Sequence, residues 1–159
     1  MTAAGVPVGT RVPDFECPGT GGPVSLKDFT RQPVVLYLYP KDNTPGCTRE
    51  SQDFRDLHAE FRGLKAVVLG VSRDGLKSHE MFRTGQCLPF DLLVDEDERL
   101  CRLFGVIREK NMYGRKVRGI ERSTFLIDGK GVLCREWRGV KVEGHAAEVL
   151  AAVREISGK

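Results

Sequence analysis

The chain has 159 residues, 40% hydrophobic and 30% charged, with a net charge of +3. That balance fits a single globular domain spanning residues 1–159 and excludes a disordered chain. Lys and Arg are scattered among Asp and Glu, which argues against a nucleic acid or a membrane surface as partner, and no apolar run is long enough to cross a bilayer.

The opening MTAAGVPVGTRVPDF has neither a basic n-region nor an apolar h-region, so no signal peptide is expected and a reducing cytoplasmic location is the default. The first well-marked element is PVVLYLY, residues 33–39, a β-branched and aromatic run that reads as a strand buried on both faces. After the turn-rich PKDNTPG, apolar positions Phe54, Leu57, His58 and Phe61 predict one helix from about Pro45 to Arg62, stopped by Gly63. AVVLGVS (66–72) is a second buried strand, DGLKSHEMFRTG a helix closed by Gly85, FDLLVD (90–95) a third strand and DERLCRLFG a short helix. The basic stretch Arg108–Arg122 reads as a solvated loop. RSTFLID and VLCREW form a hairpin across GKG, and His145–Ile156 is an amphipathic helix with Val149, Leu150 and Val153 inward. This order predicts an α/β fold with a mixed central sheet and helices on both faces, of which the thioredoxin-like arrangement is one example.

Five cysteines, Cys17, Cys47, Cys87, Cys101 and Cys134, are widely spaced and no CxxC occurs, which argues against a zinc ribbon and against a thioredoxin-type redox pair. The ordinary place of a free cysteine is the core. Cys47 stands apart. Thr44 suits the N-cap and Pro45 the first helical position, so Cys47 falls in the first turn, where unpaired backbone amides and the positive end of the helix dipole stabilise a thiolate. It also follows the C-terminal end of a buried strand, where sites of open α/β sheets lie. On these grounds Cys47 is a redox or nucleophilic thiol. The three histidines show no spacing that assembles a metal site: His58 lies on a helix stripe, His79 reads as exposed and His145 opens the last helix. No cofactor or metal is expected, and Trp137 reads as hairpin packing.

The string YPKDNTPGCTRE resembles the active-site segment of the peroxiredoxins, with Pro40, Thr44 and Cys47 matching their Pro-x-x-x-Thr-x-x-Cys pattern. With DFRD (53–56), LPFDLLVDED (88–97) and ERSTFLIDGKG (121–131), it resembles the bacterioferritin-comigratory, or Q-type, branch over essentially the whole chain. The resemblance implies a thioredoxin-like fold and a thiol peroxidase that reduces hydrogen peroxide and organic hydroperoxides. Cys47 would be the peroxidatic thiolate and become a sulfenic acid. Thr44 would hydrogen-bond the peroxide, Pro40 would shield the thiol, and Arg122 would lie beside it with a fixed positive charge. Glu50 matches a supporting glutamate. Thioredoxin, or a glutaredoxin and glutathione system, is the implied reductant, and a monomer the implied state.

The commonest form of this branch carries a resolving cysteine five residues after the peroxidatic one, where this chain has Gln52. Two readings of Cys87, just past the helix closed by Gly85, remain open: it resolves Cys47 after local unfolding, or it packs beneath the next strand. Cys17, Cys101 and Cys134 read as structural. Without an internal resolver an external thiol would reduce the sulfenic acid directly. A redox sensor or a disulfide oxidoreductase on the same fold is the alternative function.

Overall fold

The computed structural model describes residues 5–157. Five strands form the central sheet in the order β5-β4-β3-β8-β9, built from β3 (Val34–Leu38), β4 (Val67–Ser72), β5 (Leu92–Val94), β8 (Ser123–Ile127) and β9 (Leu133–Arg138). β3, β4 and β5 run parallel, while β8 and β9 are antiparallel to their neighbours. The sheet is therefore mixed, as the alternation of elements predicts, and the arrangement is thioredoxin-like.

β3 lies at the centre of the sheet, and its alternating side chains serve two cores. Val34, Leu36 and Leu38 face a cluster with Leu100, Cys101 and Phe104 of the short helix α4 (Arg99–Leu103) and the turn after it. Val35, Tyr37 and Tyr39 face a second cluster beneath α1 (Pro45–Asp56), α2 (His58–Gly63), α3 (Leu76–Gly85) and α5 (His145–Ser157). Tyr37 is wholly buried, stacks on Phe54 with ring centroids 4.7 Å apart, and shares a 2.9 Å hydrogen bond with Ser51, which fastens α1 to the sheet. Gly70 makes room for that ring: a Cβ there would lie 2.8 Å from the Tyr37 oxygen. Near the N-terminus, β1 (Glu16–Cys17) and β2 (Val24–Ser25) form a separate two-stranded ribbon.

Two elements depart from the sequence reading. The expected helix from Pro45 to Arg62 is two helices, broken at Leu57 with neither proline nor glycine there. In an unbroken helix positions 54 and 61 would be about 10.5 Å apart along the axis. The break lets the Phe54 and Phe61 rings meet at 5.9 Å in one core, so aromatic packing overrides helical continuity. The basic stretch is not an irregular loop but a hairpin, β6 (Ile107–Met112) with β7 (Arg115–Ile120), and it does remain largely exposed. Its two-residue turn, Tyr113 and Gly114, has both φ angles positive, 52° and 77°, as the tightest hairpin turns require.

Candidate active site

β3 runs out at Leu38, and Tyr39 and Pro40 lead into the turn that opens α1. Thr44 holds the extended N-cap conformation and Pro45 the first helical position, so Cys47 enters the first turn as the sequence predicts. The Thr44 hydroxyl does not cap the helix. It donates instead to the Lys41 carbonyl at 2.8 Å, closing the turn on itself and leaving the oxygen's lone pairs to accept a hydrogen bond.

Cys47 is only 1% exposed and faces the aromatic core. Arg122 reaches it from the tight link between β7 and β8: one guanidinium N–H donates to Sγ at 3.3 Å and another to Glu50 Oε1 at 2.7 Å. A residue that sequence alone would leave on a solvated strand edge is thus largely buried and 75 positions from its partner. Gly46 permits the approach, since its missing Cβ would lie 3.2 Å from the guanidinium. Burial works against the Arg122 charge, but Glu50 and Cys47 beside it more than offset this and hold the group firmly protonated.

Glu50 is almost completely buried, and its second carboxylate oxygen has no hydrogen-bond partner among the described residues. Burial pushes its carboxyl up to about 7, and the opposing pull of Arg122 is insufficient to restore the ordinary value. Desolvation therefore outweighs pairing at this carboxyl. Pro40 is exposed and shares with Arg122, Arg108, Val117, Ile120 and Val140 the walls of a cavity of about 460 Å³. The geometry puts Arg122 in direct contact with both Cys47 and Glu50, with Thr44 and Pro40 on the adjoining turn.

Cys87 is not part of this cluster. It is exposed, which overturns the reading that packs it beneath the following strand. The physical reason lies in the end of α3: Leu88 N–H bonds the Arg83 carbonyl and Cys87 N–H the Thr84 carbonyl, a Schellman closure. Cys87 takes its left-handed position, with φ of 54°, where glycine is usual. Gly85, the expected stop, is the last helical residue instead. The turn is held to α1 by Gln52, which donates to the Gln86 side chain at 2.8 Å, and by Arg55, which donates to the Gln86 carbonyl at 2.9 Å. Of the other thiols, Cys17 and Cys101 are buried, and burial drives them up to about 12 in the first case and beyond in the second. Cys134 is half-buried on β9.

His79 reverses its reading. It is wholly buried, not exposed, because α3 turns it and Phe82 toward the sheet. It joins Asp42, in the middle of the active-site turn, and neither residue carries a sequence signal beyond Asp42 lying within the YPKDNTPGC string.

Residues 8–135 match the AhpC/TSA family. Peroxiredoxin Bcp of Bacillus subtilis is 47% identical across 97% of this chain and 99% of its own. Its namesake in Xanthomonas campestris is 52% identical across 84% of each chain. Among solved structures, the trapped intermediate/ligand complex of Xanthomonas campestris bacterioferritin comigratory protein, determined for its alkyl peroxide reduction activity, superposes with a TM-score of 0.87 at 49% identity, covering 90% of this chain and 92% of that one.

Proposed function

The chain belongs to the peroxiredoxins of the AhpC/TSA family, in the Bcp or Q-type branch, and from that premise we propose that Cys47 is its peroxidatic thiol. Peroxiredoxins are thiol peroxidases, and the observation that carries the assignment is the 3.3 Å contact of Arg122 with Cys47 Sγ inside the first turn of α1. The Cys47 thiolate attacks one oxygen of a hydroperoxide. The S–O bond forms as the O–O bond breaks, and the departing hydroxide or alkoxide takes a proton to become water or alcohol, leaving a sulfenic acid. The Arg122 N–H that touches Sγ stabilises the charge moving onto the leaving oxygen. Thr44, whose own proton is directed to Lys41, accepts the peroxide's hydrogen and orients it. Pro40 bounds the mouth, and Glu50 fixes the guanidinium. Hydrogen peroxide and organic hydroperoxides are the substrates of this reading, and alkyl peroxide reduction is the activity named for the Xanthomonas relative.

In the second half-reaction Cys87 attacks the Cys47 sulfur, expelling water and forming a disulfide. That bond needs the two Cα atoms within about 7 Å. The residues that touch the Cys87 turn, Gln52 and Arg55, lie about 7.5 and 12 Å beyond Cys47 along α1. The first turn of α1 or the end of α3 must therefore unwind in each cycle. A dithiol protein of the thioredoxin class then reduces the disulfide, with a glutaredoxin and glutathione system the other candidate, and the enzyme works as a monomeric single domain in a reducing compartment such as the cytoplasm.

The test is peptide-resolved mass spectrometry of the reduced protein after one equivalent of hydrogen peroxide, with a sulfenic-acid trap present. A Cys47–Cys87 disulfide is expected, and Cys47→Ser abolishes turnover. A trapped sulfenic acid at Cys47 that never reaches Cys87 would transfer resolution to an external thiol. A Cys47 that stays reduced overturns the whole assignment.

A further inference from the structure

The active-site turn is fastened to α3 by a buried polar network. Asp42 accepts hydrogen bonds from Tyr39 at 2.6 Å on one carboxylate oxygen, and from Ser78 at 2.8 Å and His79 Nδ1 at 2.7 Å on the other. Its backbone N–H donates to Asp74 at 2.9 Å, and Asp74 in turn accepts from Ser72 at 2.5 Å. The second ring nitrogen of His79 faces the Leu93 carbonyl of β5 at 2.8 Å. Both ring nitrogens thus face oxygen partners, the Asp42 carboxylate and the Leu93 carbonyl, so the ring is held at both edges. Burial works against the Asp42 charge, but the hydrogen bonds from His79 and Tyr39 outweigh it and hold the carboxyl below its ordinary range. Asp42, Asp74 and His79 lie close enough to suggest a cation site, yet both imidazole nitrogens are already engaged in hydrogen bonds.

Asp42 sits between Pro40 and Thr44, and the Thr44 hydroxyl is tied to the carbonyl of Lys41, its neighbour. Wherever His79 holds Asp42, it holds the Lys41 carbonyl and through it the oxygen that receives the peroxide. We propose that His79 is a positioning residue for peroxide attack: from the interior of α3 it clamps Asp42 and so sets the Thr44 hydroxyl in front of Cys47. The proposal rests on Cys47 being the reactive thiol. The clamp acts on the substrate's orientation and not on the thiolate itself, which Arg122 contacts from the link between β7 and β8.

The test compares two reactions of the same sulfur in the full-length protein. Rapid-mixing rates with hydrogen peroxide depend on how Thr44 is placed, whereas alkylation by iodoacetamide needs only an accessible thiolate. His79→Leu, which removes both ring contacts, is expected to slow the peroxide reaction by about tenfold or more while alkylation stays within about threefold, since an ångström of misplacement can cost orders of magnitude in rate. His79→Asn, whose amide still donates to Asp42, should recover most of the loss. If His79→Leu does not fold, the isosteric Asp42→Asn carries the same expectation. Equal loss in both reactions, or no loss in either, overturns the clamp. Cys47→Ser measured alongside separates the two readings: residual peroxidase turnover there would remove Cys47 from its role, whereas selective results at His79 bear on the clamp alone.

Discussion

Gly46 is the residue that lets a cation reach the buried thiol. Placing a Cβ there would put a carbon 3.2 Å from the Arg122 guanidinium, so the arginine would have to give by a few tenths of an ångström. Arg122 has little freedom to do so, because Glu50 anchors its other edge at 2.7 Å. Gly46→Ala should therefore act in two directions. In the first turn of α1 alanine lowers the conformational entropy of the unfolded chain and favours the helix, raising stability by about 0.5 to 1 kcal/mol. Displacement of the guanidinium from Sγ should slow peroxide attack by several-fold, on the order of five to ten. Thermal unfolding and stopped-flow peroxide kinetics on the same preparation check both halves, and an unchanged attack rate would show that Arg122 can yield without loss. Arg122→Ala removes the donor outright and should cost about a hundredfold or more in the same rate, the usual scale for a lost donor at a developing anion.

Between elements, the contact that governs the second half-reaction is the latch from α1 to the end of α3. Gln52 stands where the commonest form of the branch has its resolving cysteine, and here it grips the neighbour of Cys87 instead. A non-glycine residue in the left-handed region costs about 1 to 2 kcal/mol, so the turn already stores strain that unwinding releases. Gln52→Ala removes one hydrogen bond, roughly 1 kcal/mol, and should speed disulfide formation by up to about fivefold in quenched-flow sampling of the Cys47–Cys87 bond. A slower disulfide would mean that the latch presents Cys87 to Cys47 and does not hold it back. None of these contacts was legible in the sequence. The buried strands were, because β-branched runs such as Val34–Leu38 have no other stable place. β6 and β7 were not, because their stability comes from backbone pairing with little burial, which leaves no apolar pattern to read. The break at Leu57 has no proline or glycine to announce it. Cys47 could be derived from its cap and helix start, whereas Arg122 depended on family resemblance because its partner lies 75 residues away. His79 read as exposed because a polar residue betrays its burial only through partners, here Asp42 and the Leu93 carbonyl, that the fold brings to it.

Across the whole molecule, two buried groups, His145 and Glu50, tie stability to pH in opposite senses. His145 opens α5, is buried against Phe54 and Trp137, and shares a 2.7 Å hydrogen bond with Thr124 of β8. Burial, with a contribution from the Arg122 charge and against the pull of Glu148, lowers it to about 4. The unfolded chain therefore takes up a proton near 6.5 that the folded chain refuses. His145's contribution is present in full above about pH 6.5 and lost as pH falls through about 4. Glu50 has the reverse sign: its folded carboxyl titrates near 7 against about 4.5 when unfolded, so its contribution is complete below about pH 4.5 and lost as pH rises through about 7. Each shift corresponds to at most about 3 kcal/mol, and between pH 4.5 and 6.5 the two slopes oppose each other and flatten the profile. Single replacements should uncover the slopes. Relative to the parent, Glu50→Gln should gain stability progressively from pH 5 to pH 8, because it removes a charge that is buried with one oxygen unpartnered. His145→Gln should gain from pH 7 down to pH 4, because it cannot be protonated. Urea unfolding of the three proteins at half-unit steps from pH 4 to 8.5 reads both differences directly. Curves that run parallel at all pH values would place the pH dependence of this fold in other groups, and would imply that Glu50 titrates in the folded protein as it does in the unfolded chain.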